Sequence, residues 1–423
     1  MWMAHQRQKI IVDPNIASYD GVSARANAPF ANASYLPGRA SGGKEKKSAN
    51  AFPPRDLRLD LFRGISLLLI FIDHIPDNFL AYFTLKSVTF SDAAEIFYFI
   101  SGYVAALVYG RAMDQHGLFA AGLRVYKRVW TLFIAHIVLF MVFVAEVSFS
   151  VNNSGHWIYN SQLRVDDFLA EPGTAMFKAL TLQFQPVYLD ILPLYILFLL
   201  VFPLVLKGFS RNAFLVMIPS ALIYGGVQMW GWNLSSYPEG HTWYFDPLAW
   251  QFLFLLGSYC GFAKLRGRRI LPHSPWVLVA AGLVLLCGGA VQLTAMLHGI
   301  WDTIPSLIST VVPADKTTLA PIRIINFLAL AMIAAWAIPE NARILTTKIS
   351  WWVIRCGQHS LHVFCFSIII AVIAQILQQE VDGGMMVQLA LNAAGLSGIV
   401  AFGTLMSWLT HEGKLPQPPQ LAA

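Results

Sequence analysis

From residue 57 onward the chain is cut into ten apolar runs, and basic residues crowd into every second gap between them. The runs cover approximately 57–77, 92–113, 127–149, 187–207, 213–232, 247–265, 275–297, 321–338, 355–377 and 386–409. Each matches the roughly 17–25 residues that an α-helix needs to cross a hydrocarbon core. Lipid offers no hydrogen bonds to a backbone, so runs of this kind are helices. The gaps settle the order. Arg111, Arg124, Lys127 and Arg128 lie between the second and third runs, Lys207 and Arg211 between the fourth and fifth. Lys264, Arg266, Arg268 and Arg269 follow the sixth, and Arg343, Lys348 and Arg355 the eighth. The intervening gaps hold Lys86 alone, then Arg164 and Lys178 against Asp166, Asp167 and Glu171, then no base between Trp232 and Asp246, then Lys316 alone, then none between 378 and 384. Cytoplasmic loops carry the excess of Lys and Arg. The alternation therefore predicts an all-α polytopic membrane protein of about ten transmembrane helices with both termini cytoplasmic.

Composition closes off other classes. The chain is 56% hydrophobic and 12% charged, far below the charge usage of a soluble domain. A net charge of +6 raises the question of nucleic acid, but the bases sit in short loops between apolar runs, so no nucleic-acid partner is expected. Cys260, Cys287, Cys356 and Cys365 all fall in or beside apolar runs without metal-ligand spacing, and read as small buried hydrophobes. No metal is expected. Residues 1–54 are rich in Ala, Ser, Asn, Pro and Lys and lack a signal-peptide apolar stretch, which predicts a disordered cytoplasmic tail, with 411–423 as a short second tail. No internal repeat of the kind common in secondary transporters is visible.

Ionisable residues inside apolar runs are expensive and mark function by default. Arg63 and His74 are eleven residues apart in the first run. Eleven helical steps bring both to one face, about 16 Å apart along the axis. Pro76 loosens the helix just past the histidine, and irregular backbone at membrane depth suits a cavity wall. Asp73 adjoins His74 but diverges from it by about 100°. Glu95, one turn into the second run, is a candidate to orient or charge-balance His74, and Ser101, beside Gly102, to donate to a carbonyl. Arg124, Lys127 and Arg128 form a candidate anion site at the cytoplasmic face, with His359 and His362 near the same level. On the outer side, Asp190 and the cluster His241, Asp246, Trp250 and Gln251 offer the carboxylates, amide and aromatic faces that a sugar site uses.

The run Leu59-Asp-Leu-Phe-Arg-Gly-Ile through His74 resembles the opening of the integral-membrane acyltransferase family 3 superfamily, whose Arg-x10-His motif falls on Arg63 and His74. Phe97-Tyr-Phe-Ile-Ser-Gly-Tyr and Tyr126-Lys-Arg-Val-Trp are similar to that superfamily's second and third helices. More closely, Tyr188-Leu-Asp-Ile-Leu-Pro-Leu-Tyr, Asp246-Pro-Leu-Ala-Trp-Gln and Gly357-Gln-His-Ser-Leu-His-Val-Phe resemble the OpgC family, with Asp246 standing where Asn is expected. The resemblance runs from about Arg55 to the last helix and makes 55–410 one membrane acyltransferase domain. It implies a bacterial inner-membrane enzyme that moves a succinyl group from succinyl-CoA to an osmoregulated periplasmic glucan, with no permanently bound cofactor. In that reading His74 is the base. Asp73 or Glu95 raises its basicity. Ser101 serves the oxyanion. Arg63, Arg124, Lys127, Arg128, His359 and His362 hold the donor. Asp190, His241, Asp246, Trp250 and Gln251 hold the acceptor. Other glucan-synthesis proteins are candidate partners beside the lipid bilayer. An acetyl-CoA-dependent transferase of another surface polysaccharide fits the same residues, as does a transporter or flippase of an acylated glycan.

Overall fold

In the computed structural model the described residues are 55–154, 163–270, 274–300, 314–381, 384–411 and 413; the expected tails at 1–54 and 414–423 lie outside them. The architecture is helical throughout. α1 is Leu57–Asp73, α2 Leu85–Val88, α3 Ala93–Ser154, α4 Asp166–Ala170 and α5 Pro172–Leu180. α6 is Ile191–Arg211, α7 Phe214–Trp230, α8 Pro247–Leu265, α9 Pro275–Ile300 and α10 Pro321–Ala337. α11 is Lys348–Gln358, α12 Ser360–Glu380 and α13 Met385–Thr410. Strands Ser235–Ser236 and His241–Thr242 form one small antiparallel hairpin. Six helices are long and apolar enough to cross a membrane: α3 over Ala93–Ser150, α6, α8, α9, α12 and α13; α7 and α10 are shorter and apolar.

Each expected run contains a helix, but two boundaries differ. The second and third runs belong to one α3, bent at Gly117, whose φ of 82° is cheap only for glycine. The helix resumes at once, so the expected basic linker is itself helical. The ninth run is split: α11 stops at Gln358, and His359, with φ −107° and ψ 34°, breaks the helix before α12.

α1 starts at Asp56, whose carboxylate accepts from the Arg58 N–H at 3.2 Å. It ends at Asp73 because Pro76 brings no N–H to the carbonyl of Ile72. Asn78 Nδ2 replaces it, donating to Ile72 O at 2.9 Å, and Asn78 in turn pairs with Asn392 of α13 at 3.0 Å. α1 packs closely on α11: a Cβ on Gly64 would strike the carbonyl of Val353, and one on Gly357 the carbonyl of Asp60. The glycine after Arg63 is thus explained by backbone approach, as small residues permit in membranes.

Charged groups gather at the two ends of the bundle. At one end Asp56 pairs with Arg58 at 2.8 Å and Lys264 at 3.1 Å, both bases reach Glu340, and Arg266 meets Asp114 at 2.8 Å. Gaps expected on one side therefore do meet. The other end holds Asp73, Asp92, Arg164 and Lys316. A continuous apolar core joins the two ends, with Phe71, Tyr98, Phe140, Trp250, Phe254 and Phe364 fully buried.

Candidate active site

His74 is the residue on which α1 ends. Its Nδ1 is hydrogen-bonded to the carbonyl of Ile70. A carbonyl only accepts, so Nδ1 carries the proton and Nε2 keeps its lone pair. Nε2 has no hydrogen-bond partner among the described residues. Tyr188 stands edge-on to the imidazole, ring centroids 4.3 Å apart at 78°.

The carboxylates nearby are otherwise engaged. Asp73 accepts from Thr84 Oγ1 at 2.8 Å and pairs with Lys86 at 3.3 Å, so it fastens the loop after α1 and does not orient His74. Glu95 also turns away from His74. One oxygen takes both Arg323 Nε at 2.7 Å and Nη2 at 2.6 Å, and the other accepts from the Asp92 N–H at 2.8 Å. Asp92 Oδ1 in turn accepts from the Ala94 N–H at 2.8 Å, completing a reciprocal cap on α3. Lys316 Nζ lies 2.6 Å from Asp92 Oδ2 and 5.3 Å from the centre of the Phe245 ring. Burial works against the Lys316 charge, but the neighbouring Asp92 carboxylate outweighs it and lifts the ammonium above the usual lysine value. Lys316 is within electrostatic reach of both His74 and Asp190, the residue that opens α6. His74, Asp190 and Lys316 thus lie toward the same end of the bundle.

The other end of α1 is built differently. Arg63 is half-buried on the His74 face of α1. Its guanidinium makes no hydrogen bond or ion pair among the described residues, while Tyr195, Asp60, Arg55 and Arg128 surround it at longer range. Asp60 is committed to Arg55, at 2.6 and 2.8 Å. Arg128 also neighbours Tyr109, His362 and Cys365, and His359 neighbours His362. Arg63, Arg128, His359 and His362 are therefore brought together. Arg124 and Lys127, on the same stretch of α3 as Arg128, are exposed, and neither is among the neighbours of Arg63, His359 or His362. Two cations, imidazoles and phenols in one neighbourhood have the chemistry to receive a polyanion.

A family model described as OpgC protein matches residues 55–411. The chain belongs to the OpgC family. Membership points to an acyltransferase, and the match takes in both groups of residues, around His74 and around Arg63. No curated protein and no solved structure matches the chain.

The residues expected to hold the acceptor of this OpgC-family chain divide. Asp190 lies within electrostatic reach of Lys316, and His241 is exposed on the hairpin. Asp246 caps α8, accepting from the Leu248 N–H at 2.9 Å, while its Oδ2 is buried with no partner among the described residues. Trp250 is fully buried, its Nε1 donating to the carbonyls of Lys316 and Thr317, both at 3.1 Å. Gln251 spends its amide on α7 and its own helix: Oε1 accepts from Ser220 Oγ at 2.7 Å, and Nε2 donates to Ser220 O at 2.9 Å and Leu248 O at 3.1 Å. Trp250 and Gln251 are scaffold, holding the Lys316 loop and locking α7 to α8. Ser101 is buried where α3 meets α8, beside Gly102, whose Cβ would strike the Phe254 carbonyl.

Sequence reasoning missed Arg323 and Tyr188. The signal for Arg323 was Glu95 itself, since a carboxylate in an apolar run demands a cation. Lys316 stood out only as the lone base of its loop.

Proposed function

We propose that this chain is an integral-membrane O-acyltransferase of the bacterial inner membrane, crossing it ten times with both termini in the cytoplasm. It moves an acyl group, succinyl in our reading, from acyl-CoA to a hydroxyl of a periplasmic glucan. One observation carries the proposal: a single face of α1 bears an unpartnered guanidinium at Arg63 and an imidazole with a free Nε2 at His74. The two are separated by about 16 Å along the helix.

The donor binds at the Arg63 end of α1, its phosphates meeting Arg63 and Arg128 with His359 and His362 beside them. Its thioester reaches up α1 toward His74. A glucan hydroxyl, held by Asp190 and approached from the hairpin side by His241, lies against Nε2. Nε2 takes the hydroxyl proton as the oxygen bonds to the thioester carbon. The tetrahedral intermediate then expels the CoA sulfur, breaking the C–S bond. The imidazolium returns its proton to the thiolate, leaving an ester and free CoA. General-base help of this kind contributes roughly 10²–10⁴-fold. Ser101 is placed too deep in the α3–α8 contact to be our first choice for the oxyanion. Lys316 is the nearer positive group.

The test is thiol release from succinyl-CoA by the full-length protein in nanodiscs, with and without a periplasmic glucan fraction, beside His74→Ala. Glucan-dependent release that vanishes in the variant is expected. Release with acetyl-CoA alone would keep the mechanism and discard the succinyl group. No release with either donor from folded protein would favour transport of an acylated glycan.

A further inference from the structure

The backbone just past His74 is no longer helical, yet its carbonyls are not left to chance. In a continued helix the carbonyls of Ile72, His74 and Pro76 would accept from N–H groups four residues on. Here each takes a side-chain donor: Ile72 O from Asn78 at 2.9 Å, His74 O from the Tyr188 hydroxyl at 3.1 Å, and Pro76 O from Gln378 Nε2 at 2.9 Å. Asn78 is local and Gln378 comes from α12. Tyr188 comes from the turn into α6, and it alone of the three also touches the imidazole.

Tyr188 holds this place in an unfavourable backbone conformation, with φ at 75°. Glycine adopts that region freely and a tyrosine rarely does. Strain of this sort persists where surrounding structure over-determines it, and it gathers at functional sites. The turn itself does not require a large side chain. What holds the tyrosine there is its ring against His74 and its hydroxyl, which reaches His74 O and, at 3.3 Å, Oε1 of the buried Gln375. The single phenolic proton is shared between those two acceptors.

We infer that Tyr188, with Gln375 behind it, is a positioning residue for His74, a role that rests on reading His74 as the base. The imidazole is bounded on two sides. The Nδ1–Ile70 bond fixes one edge, and the Tyr188 ring limits its swing on the other. The Tyr188 hydroxyl holds the residue's own carbonyl, so backbone and ring are fixed by one side chain. Nε2 is then the only polar atom of the imidazole free to face a substrate. A base displaced by an ångström loses about a hundredfold in rate. The donor's phosphates are gripped at the far end of α1, so donor affinity is insensitive to this arrangement.

The experiment compares Tyr188→Phe and Tyr188→Gly with wild type and His74→Ala, all full-length in nanodiscs with succinyl-CoA and glucan, or acetyl-CoA if that is the donor turned over. Phenylalanine keeps the ring and loses the hydroxyl, and kcat falls about tenfold. Glycine relieves the backbone and loses the ring, and kcat falls about a hundredfold or more. In both, the donor KM stays within about twofold of wild type, because the phosphate site is untouched. A merely conformational role for position 188 predicts the reverse order, with glycine the better tolerated, and that result overturns the inference. So does a phenylalanine variant with wild-type kcat, or one whose loss lies in donor KM. If the glycine variant does not fold, the kcat and KM of the phenylalanine variant decide alone. Wild-type turnover in His74→Ala removes the base reading instead, and no turnover of either donor by wild type removes the proposed function and this inference with it.

Discussion

At the end of the bundle that holds His74, the carboxylates Asp73, Asp92 and Glu95 are paired before any substrate arrives. Arg323 meets Glu95, Lys316 meets Asp92, and Lys86 meets Asp73. At the inner end the Arg63 guanidinium is left without an ion pair, although Asp60 lies one turn before it, because Asp60 is held by Arg55. The contrast separates two uses of buried charge. Paired charges fix a shape around His74, while the unpaired cation waits for an anion that must come from outside the protein. Desolvating a guanidinium without a partner is costly, so an arrangement that keeps the nearest carboxylate away from Arg63 favours a ligand that brings its own.

The largest effect expected is at the outer end. His74→Ala should lower acyl transfer by about 10²–10⁴-fold, read as free CoA released per folded molecule. Wild-type turnover would reduce the group of residues around His74 to packing.

Next comes a pure stability effect. Glu95→Ala leaves Arg323 buried beside Asp92 alone, and breaking a buried pair from one side costs about 3–5 kcal/mol. The thermal midpoint in detergent should fall steeply, while the fraction that remains folded turns over normally. A folded Glu95→Ala protein without turnover would return Glu95 to a direct role at His74.

At the inner end the expected change is in affinity. Arg63→Ala should raise the donor KM about 10- to 100-fold, the worth of charge-assisted hydrogen bonds, with little loss of stability, since no internal ion pair is broken. If donor dependence is unchanged and the protein is destabilised, the two ends of α1 are alike after all and Arg63 is structural.

The same contrast explains what could be read in the sequence. The helical, membrane-crossing character followed from hydropathy, and the meeting of Asp56, Lys264 and Glu340 at one end agrees with the charge alternation of the loops. The bend at Gly117 and the break at His359 were hidden because neither glycine nor histidine in an apolar or basic stretch dictates its own φ. Arg63 and His74 were legible because they lie on one helix, where spacing fixes direction. Glu95 and Arg323 are 228 residues apart in sequence, and no local pattern joins them. Trp250 and Gln251 have the chemistry of a sugar site, and only tertiary contacts reveal that their polar atoms are already used. This sets a fourth expectation. Gln251→Leu should cost about 1–3 kcal/mol by leaving Ser220 without its amide partner, measured as a lowered thermal midpoint. The KM for glucan should not change, and a rise in it would put Gln251 back among the acceptor residues.

The smallest effect belongs to Asp246, a carboxylate that, unlike Asp92 and Glu95, has no ion pair among the described residues. Burial pushes its carboxyl up to about 6, against the pull of the Leu248 and Ala249 backbone N–H groups. An unfolded aspartate titrates near about 4. The folded value is the higher one, so the fold favours the protonated acid. That contribution is complete below about pH 4 and is lost as pH rises through about 6. Asparagine caps a helix as well as aspartate, keeps an oxygen for the Leu248 N–H, and replaces the unpartnered buried Oδ2 with a neutral amide nitrogen. Asp246→Asn should therefore be the more stable protein above pH 6, by a few degrees in thermal midpoint, with the advantage shrinking to nothing toward pH 4. Turnover should be unaffected, because Trp250 still holds the Lys316 loop. A variant less stable than wild type at every pH would mean that the charge on Asp246 is itself used, and that the outer end of the bundle contains an unpaired ion after all.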